Sequence, residues 1–310
     1  MNRRGFFKTA GAATATSLAL GFPLAAHAKK SAVCSLPSGV SVDVQWLGGA
    51  TMTISFDGVT LLTDPAFGVG EKALMMPDPN SALDMSQTLK LTPIPRFTPL
   101  PPIDLSKVSM VLVSHMHPDH FDRAAEQALP KDLKIIAHPD DLKALQEKDF
   151  QNAQGLAWGD TQQVKTANGT ISITAIRATH SPKNQVMQFL GQGSGYFFTF
   201  QKGSFSKTLY WTGDTFPTPQ VLEQVKSLGE IDILIPHAGN VGAAGTLGQI
   251  SMGAVEVTQM AEELKPQHIL PIHHSTYALY REPAWKLAEA LASSSANLDL
   301  VSEGVTLSYS

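Results

Sequence analysis

The sequence predicts an α/β fold arranged as a four-layer α/β/β/α sandwich. The chain of 310 residues opens with closely spaced strand signals, continues with further strands and amphipathic helices, and contains no Gly/Ser-rich linker that would divide it. Because 43% of the residues are hydrophobic, there is enough apolar material for a large core. We therefore expect one domain over residues 29–310, preceded by a targeting segment over residues 1–28.

The targeting segment resembles a Tat-type export signal. Arg3 and Arg4 precede a weakly apolar stretch that ends in Ala-His-Ala at 26–28, a small-x-small pattern typical of a cleavage site. A retained membrane anchor is the alternative, but glycine and proline interrupt this short stretch, so that it would span a bilayer poorly. We expect cleavage after residue 28, export of the folded chain by the Tat machinery, and a periplasmic or other extracytoplasmic location.

Composition narrows the classes of partner. The chain has 23 basic and 27 acidic residues, and the predicted signal contains three of the basic residues and none of the acidic ones. This acidic excess argues against a nucleic-acid partner, because phosphate backbones are bound by clustered positive charge. The single cysteine, Cys34, excludes an intramolecular disulfide, so that stability does not depend on an oxidising compartment.

The first predicted elements are strands. Residues 40–47 alternate apolar and polar side chains, and the β-rich runs 51–56 and 59–63 flank Asp-Gly, a strong hairpin turn signal. The next segment, 64–107, contains eight prolines, which preclude a helix or a central strand. A loop this long is usually functional, so we interpret it as a wall or lid over the site; a surface insertion without function is the alternative.

The remaining elements follow from periodicity. Strands are predicted at 108–113, 133–137, 170–177, 195–201, 207–212, 231–235 and 268–272, and helices at 123–129, 139–148, 217–227, 252–264 and 284–291.

A histidine-rich turn follows the apolar run 108–113. His115, His117, Asp119 and His120 fall within six residues, although the whole chain has only ten histidines. Imidazole nitrogens and carboxylate oxygens are the ligands that zinc and similar cations prefer. A polar surface turn is the alternative, but it does not explain four such groups directly after a buried strand. The motif therefore predicts a metal site.

Three more ligand candidates each follow a predicted strand. His180, Asp214 and His273 come directly after strands, where a rigid sheet can hold a ligand precisely. Taken singly, each has an ordinary structural interpretation, such as a helix cap or a hydrogen-bonded core histidine. Their order and setting, combined with the histidine-rich turn, predict that they complete the same site.

In this order the candidates resemble the metallo-β-lactamase superfamily of hydrolases, which has an αββα sandwich. The chain is more similar to the branch that contains N-acyl-phosphatidylethanolamine phospholipase D and the ascorbate-6-phosphate lactonase-like hydrolases. The segments that carry this similarity are 46–51, 61–67, 102–104, 113–122 and 272–279.

The resemblance implies a site for two divalent metal ions. The implied ligands are His115, His117 and His180 for the first ion, Asp119, His120 and His273 for the second, and Asp214 as a bridge between them. Zinc is expected, with manganese or iron as alternatives. A metal-bridging hydroxide would attack phosphorus or a carbonyl carbon. Asp214 and Asp119 would act as catalytic residues, the first by holding the ions together and the second by orienting the nucleophile or moving a proton.

The implied function is an exported binuclear hydrolase of a phosphodiester or of a lactone or other ester, with a small-molecule or lipid-like substrate. A metal-binding regulatory or binding protein that keeps the fold without turnover is the alternative. True β-lactamases lack the bridging aspartate, and several use a cysteine ligand that this chain does not supply. The phospholipase-like relatives commonly have histidine where Gly49 stands here, so that their substrate cannot be transferred intact.

Weaker candidates surround this set. By the resemblance, Asp64 would hydrogen-bond a ligating histidine, and a turn aspartate is the alternative. His237 is a proton donor, a phosphate contact or a structural histidine. Lys183, Tyr277 and Arg281 are candidate substrate contacts. His274 is expected to point away from the site on an extended segment.

Overall fold

Two seven-stranded sheets form the centre of the molecule in a computed structural model that describes residues 39–310. The predicted export signal, its cleavage site and Cys34 lie outside the described residues. The strands are, in chain order, β1 Val42–Gly48, β2 Thr51–Phe56, β3 Val59–Thr63, β4 Leu74–Met76, β5 Thr92–Ile94, β6 Met110–Leu112, β7 Ile135–Ala137, β8 Ala153–Gly155, β9 Thr161–Lys165, β10 Thr170–Arg177, β11 Ser194–Lys202, β12 Phe205–Trp211, β13 Ile233–Ile235, β14 His268–Ile269, β15 Asn297–Leu298 and β16 Thr306–Tyr309.

Six α-helices accompany the sheets within the described residues. They are α1 Arg123–Ala128, α2 Leu142–Gln146, α3 Asn184–Leu190, α4 Pro219–Lys226, α5 Ala254–Leu264 and α6 Ala284–Ala290. Asp122 caps α1 by accepting a hydrogen bond from the backbone of Ala125, and Thr218 caps α4 in the same way. Within residues 39–310, no helix combines the length and the apolarity needed to cross a membrane.

The two sheets share one design. The first has the order β16-β1-β2-β3-β6-β7-β8 and the second the order β15-β14-β13-β12-β11-β10-β9. In each sheet an antiparallel half joins a parallel half, at β3–β6 in the first sheet and at β12–β13 in the second. The strands β10, β12, β13 and β14 run in the same direction, so that their carboxyl ends meet at one edge.

Alternating side chains build the layers. In the second sheet Phe198 and Trp211 point into the cluster between the sheets, whereas their neighbours Phe197 and Tyr210 point outward against α4 and α5. A third cluster packs α1 and α2 on the outer face of the first sheet. The four-layer α/β/β/α sandwich is thereby confirmed. Each fully buried large apolar side chain contributes about 1.5–3 kcal/mol, so the layer between the sheets and the two outer layers all contribute to stability.

The predicted elements from 40–63 and from 108–148 are present, and so are the later strands and helices, with ends shifted by a few residues. Sequence reasoning missed β8, β9, β15, β16 and α3. It also missed a separate two-stranded sheet, β4–β5, inside the proline-rich segment, where Pro93 pairs with Met75.

The proline-rich segment packs onto the chain that follows His273. Asn80 donates to the carbonyl of Leu279 at 2.8 Å and accepts from the backbone of Gly242 at 2.9 Å. Leu74 and Ile94 share an apolar cluster with residues that follow His273 and with residues near Gly242. The segment therefore packs beside the strand ends that carry the candidate ligands.

Candidate metal centre

The seven predicted ligands meet at the edge of the sandwich where strands end. The histidine-rich turn follows β6 in the first sheet. His180, Asp214 and His273 follow β10, β12 and β14 in the second. A backbone hydrogen bond from Ser194, the first residue of β11, to the carbonyl of Ser114 joins the two sheets at this point, at 2.8 Å. Residues that lie up to 158 positions apart thus converge because both sheets present the same edge.

Three histidines form a first group. Nδ1 of His117 lies 2.8 Å from Nε2 of His115 and 3.3 Å from Nε2 of His180. The three ligand atoms lie within 4.8 Å of one another, a separation that one ion can span. His115 and His180 are each 2% exposed, so this group is nearly closed to solvent.

The second group combines Asp119, His120 and His273. Oδ2 of Asp119 lies 3.4 Å from Nε2 of His273 and 3.7 Å from Nε2 of His120. Both imidazole nitrogens are buried and have no hydrogen-bond partner within residues 39–310. Leaving a buried polar atom unpaired costs about 1–3 kcal/mol, so these two atoms identify a place where a ligand belongs.

Asp214 stands between the two groups. Its Oδ2 lies 3.4 Å from Nε2 of His180 in the first group and 3.5 Å from Nε2 of His120 in the second. The strand end places it there by a tight turn. Gly213 has φ +57°, and a Cβ at this position would lie 2.6 Å from the carbonyl oxygen of Ser194.

Each of the five histidines uses one nitrogen to fix its ring. The hydrogen-bond acceptors are the carbonyl of Leu190 for His117, that of Ile250 for His180, that of Ala238 for His273, the Ser114 hydroxyl for His115 and the Asp64 carboxylate for His120. A nitrogen that donates to oxygen carries the ring proton, so the other nitrogen keeps its lone pair. In every case that second nitrogen faces the cluster.

This arrangement fits a cation. With these tautomers, the lone pairs of His115 Nε2 and His117 Nδ1 face each other at 2.8 Å and repel each other unless a positive charge lies between them. The carboxylates of Asp119 and Asp214 pair with histidines and with no lysine or arginine in the described part of the chain. The cluster is therefore able to bind metal.

The pKa values of the cluster histidines follow from burial and from the neighbouring charged groups. Burial, together with the neighbouring imidazoles, lowers the pKa of His117 to about 4 and that of His115 well below its usual range. Burial also lowers the pKa of His120, but Asp214 and Asp119 outweigh it and raise that pKa well above the usual range. His115 and His117 are thus neutral and free to ligate, and His120 lies where the neighbouring carboxylates favour positive charge.

Asp64 lies directly behind the cluster. Its Oδ2 accepts from Nδ1 of His120 at 2.7 Å and from the Ser114 hydroxyl at 2.6 Å, and its Oδ1 accepts from the Ser114 backbone at 2.6 Å. Burial raises the pKa of Asp64, and His120 and Ser114 counter that rise. Through Ser114 the same carboxylate also orients His115, so one aspartate fixes a histidine in each group.

His237 is buried beside the cluster, but both of its nitrogens are engaged. Nε2 accepts from the indole Nε1–H of Trp211 at 2.7 Å, and Nδ1 donates to Oδ1 of Asp214 at 2.8 Å. Burial is the main cause that lowers its pKa to about 3. Although His237 lies within ligand distance of His120, Asp214 and His273, it has no lone pair left for a metal ion.

The weaker candidates make contacts with other parts of the protein. The Tyr277 ring is 1% exposed, and its hydroxyl donates to the carbonyl of Ala66 at 3.3 Å. Lys183 is exposed before α3, with its ammonium beside Gly248. The backbone of Arg281 donates to the carbonyl of Gly239 at 2.8 Å. His274 packs on Trp46, away from the cluster as expected, although the segment is not extended.

The His273 loop has an unusual backbone. His273 has φ +63° and Ser275 has φ +62°, a left-handed conformation that is costly for residues other than glycine. Hydrogen bonds hold it: the backbone of His273 donates to the carbonyl of Gly49 at 2.9 Å, and the backbone of Gly49 donates to the Thr276 hydroxyl at 2.7 Å. Gly49 leaves no room for histidine, because a Cβ there would lie 2.8 Å from the Tyr277 ring.

A buried ion pair anchors this loop. Nη2 of Arg96 lies 3.0 Å from Oε2 of Glu303 and donates to the carbonyl of Leu47 at 2.7 Å. Oε1 of Glu303 accepts from the Thr276 hydroxyl at 2.6 Å. Sequence reasoning missed this pair, together with Ser114, Trp211 and Tyr280, whose ring packs on His273 at 4.6 Å. Of these residues, only Ser114 could have been recognised from the sequence, because it directly precedes the histidine-rich turn.

Comparison with known proteins identifies the family of the chain. A family model described as a beta-lactamase superfamily domain matches residues 43–273. A metal-dependent hydrolase from Pyrococcus abyssi is 29% identical over 178 residues, which cover 57% of this chain and 71% of the relative. One from Koribacter versatilis is 28% identical over 177 residues, 56% of this chain and 69% of the relative.

Solved structures share the fold. An isothiocyanate hydrolase from Delia radicum gut bacteria superposes with a TM-score of 0.68 at 21% identity, over 86% of this chain and 99% of that chain. A metallo hydrolase from Ignicoccus hospitalis superposes with a TM-score of 0.59 at 19% identity, over 87% of this chain and 99% of that chain.

Proposed function

The chain belongs to the beta-lactamase superfamily domain family, and on this basis we propose that it is a metal-dependent hydrolase whose site holds two divalent metal ions. One observation carries the proposal: five imidazoles each spend one nitrogen on an oxygen acceptor and direct the other into the same cluster. Such tautomer-fixing contacts are the usual support of metal-ligating histidines.

Two ions rather than one are favoured by the grouping of the ligands. His115, His117 and His180 supply one set, and Asp119, His120 and His273 supply the other. Asp214 contacts a histidine of each set through the same oxygen, which suits a bridge. Two divalent cations would also offset the negative charge of the three buried carboxylates, which no lysine or arginine neutralises within residues 39–310. We propose zinc, because nitrogen and carboxylate ligands suit it; manganese and iron accept the same donors.

Bound metal ions would supply a water of lowered pKa and a polarised substrate oxygen. The protein contributes the remaining functions. Asp214 sets the spacing of the two ligand groups, and Asp119 orients the attacking water or accepts its proton. Asp64 and Ser114 keep His115 and His120 in the ligating tautomer. We propose a phosphodiester or a lactone-type ester, either small or lipid-like, as the substrate.

The first prediction tests turnover. The zinc- or manganese-loaded protein is expected to hydrolyse bis-p-nitrophenyl phosphate or a member of a lactone panel. His117→Ala is expected to lose more than the roughly 10–100-fold that follows loss of a residue supporting a ligand. His138→Ala is the matched control, because His138 is also buried, at 8% exposure, but packs on Trp158 outside the cluster. Kinetics on the three proteins give the answer.

The outcomes separate the alternatives. Phosphodiester turnover without lactone turnover favours a phospholipase-like reaction, and the reverse pattern favours a lactonase. A loaded protein that binds metal yet hydrolyses no ester, with His117→Ala behaving identically, would instead mark a non-catalytic binding or regulatory protein that keeps the fold.

We also propose that the chain is exported in folded form through a Tat-type route and acts outside the cytoplasm. The support is the twin arginines, Arg3 and Arg4, and the Ala-His-Ala pattern at 26–28. Replacing both arginines with lysine is expected to retain the full-length chain in the cytoplasmic fraction, whereas the unaltered chain is recovered outside it and shortened. Cell fractionation with immunodetection measures this, and an unchanged distribution of the variant would contradict the proposal.

A further inference from the structure

Two consecutive buried hydrogen bonds connect the core to the carboxylate of Asp214, which lies between the two ligand groups. Trp211, the last residue of β12, donates from Nε1 to Nε2 of His237 at 2.7 Å, and Nδ1 of His237 meets Oδ1 of Asp214 at 2.8 Å. Trp211 and His237 are both fully buried. The parallel register of β12 and β13 pairs Trp211 with Ile235, two residues before His237, so that the backbone fixes both ends of the first link.

The direction of these hydrogen bonds is determined by chemistry. An indole N–H can only donate, so Nε2 of His237 must accept, and the proton of the neutral ring must lie on Nδ1. Nδ1 therefore donates to Oδ1 of Asp214. The five ligand candidates instead give their second nitrogen to the cluster, which makes His237 the exception among the histidines that surround it.

The ring of His237 is also fixed by stacking. It lies parallel to the ring of His273, with an interplanar angle of 6° and centroids 4.9 Å apart. The backbone of His237 donates to the Thr212 hydroxyl at 3.0 Å, which ties it to the turn that carries Asp214. The donor that faces Oδ1 is thus held from three directions.

On the premise of the metal site proposed above, we propose that His237 is a positioning residue for Asp214. A carboxylate can rotate about its last bond, and two histidine groups compete for its oxygens. The hydrogen bond to Oδ1 stops that rotation and leaves Oδ2 between Nε2 of His180 and Nε2 of His120. Asp214 then offers one oxygen to both groups. Trp211 acts one step further out by keeping the proton on Nδ1.

Two variants of His237 that approximate the size of the imidazole test its two hydrogen bonds separately. In His237→Asn the side-chain NH2 takes the place of Nδ1–H and keeps the donor to Asp214, but the link to Trp211 is lost. In His237→Gln the amide oxygen reaches the place of Nε2 and keeps the link to Trp211, but the donor to Asp214 is lost. His138→Asn and His138→Gln repeat both substitutions at a buried histidine outside the cluster and serve as controls.

The measurement is binding of zinc and of cobalt(II) alone to metal-free protein, by competition with a chelator, with thermal unfolding as the check of folding. His237→Gln is expected to weaken metal binding about 10–100-fold, as expected for loss of a contact that orients a ligand, and to lower kcat more than it changes KM. The metal affinity of His237→Asn is expected to stay closer to that of the wild type, and both His138 variants are expected to have the wild-type affinity. Equal metal affinity of the Asn and Gln variants, both folded, would overturn the inference.

A measurement on the unaltered protein adds an independent test. Long-range 1H–15N spectra of histidine-labelled protein, with Trp211→Phe to assign His237, are expected to show a neutral ring protonated on Nδ1. An Nε2-protonated or a charged ring would overturn the inference. A wild-type protein that binds no metal would instead overturn the proposed function itself, so the two failures are distinguishable.

Discussion

His120→Ala is expected to bind about one equivalent of metal instead of two and to lose turnover. His120 pairs with three carboxylates, more than any other ligand histidine: Nδ1 lies 2.7 Å from Asp64, and Nε2 lies 3.5 Å from Asp214 and 3.7 Å from Asp119. Truncation removes a ligand of the second group and one of the donors to the buried Asp64. The loss should exceed the roughly 10–100-fold that accompanies removal of a supporting contact. Metal analysis by mass spectrometry after dialysis, together with kcat/KM, measures both effects.

The control for this experiment is His268→Ala. His268 also hydrogen-bonds an aspartate, Asp299, at 3.0 Å, but it is partly exposed and distant from the ligand groups in the sheet. It should retain both equivalents and full turnover. If His120→Ala also kept two equivalents, His120 would not be required as a metal ligand, and the assignment of the second group as a metal site would fail.

The fold was predictable wherever a strand or helix carries its own periodicity. The first hairpin depends on Asp57-Gly58, and the strands β10 to β13 alternate or run apolar over much of their length. The missed strand β9 is polar, with its side chains alternating between exposed and half-buried, so that it has no apolar face to detect. β16, near the end of the chain, pairs with β1 near the start of the described residues. The local sequence pattern does not reveal a contact between segments so far apart.

The candidate site was predictable to the level of ligand type. Strand ends and ligand chemistry indicated which seven side chains would meet, and the structure brings them together. Their supports were not predictable. The carbonyl of Leu190 at the end of α3 and the loop carbonyls of Ile250 and Ala238 fix three of the imidazoles, and any residue type supplies a carbonyl. The pairing of Trp211 with His237 depends on strand register, which a single sequence does not reveal.

The ion pair behind the His273 loop is expected to make a large contribution to stability. Arg96→Met is expected to lower the free energy of unfolding by about 3–5 kcal/mol, because it leaves Glu303 as an uncompensated buried charge. Arg96 also donates to the carbonyls of Leu47 and Thr98, at 2.7 and 2.9 Å, and these acceptors would lose their partner as well. Urea denaturation of the metal-free protein measures the loss without a contribution from bound metal.

A double variant shows whether charge or packing is responsible. Arg96→Met with Glu303→Leu removes both charges and should recover part of the loss, since buried ion pairs are often replaceable by apolar pairs of similar volume. Lys143→Met is the matched control at an exposed pair with Glu147, where no measurable loss is expected. Equal losses in the single and double variants would contradict the role of charge. Because Glu303 also accepts a hydrogen bond from Thr276, the double variant should weaken metal binding through His273, which lies in the same loop and has a left-handed backbone.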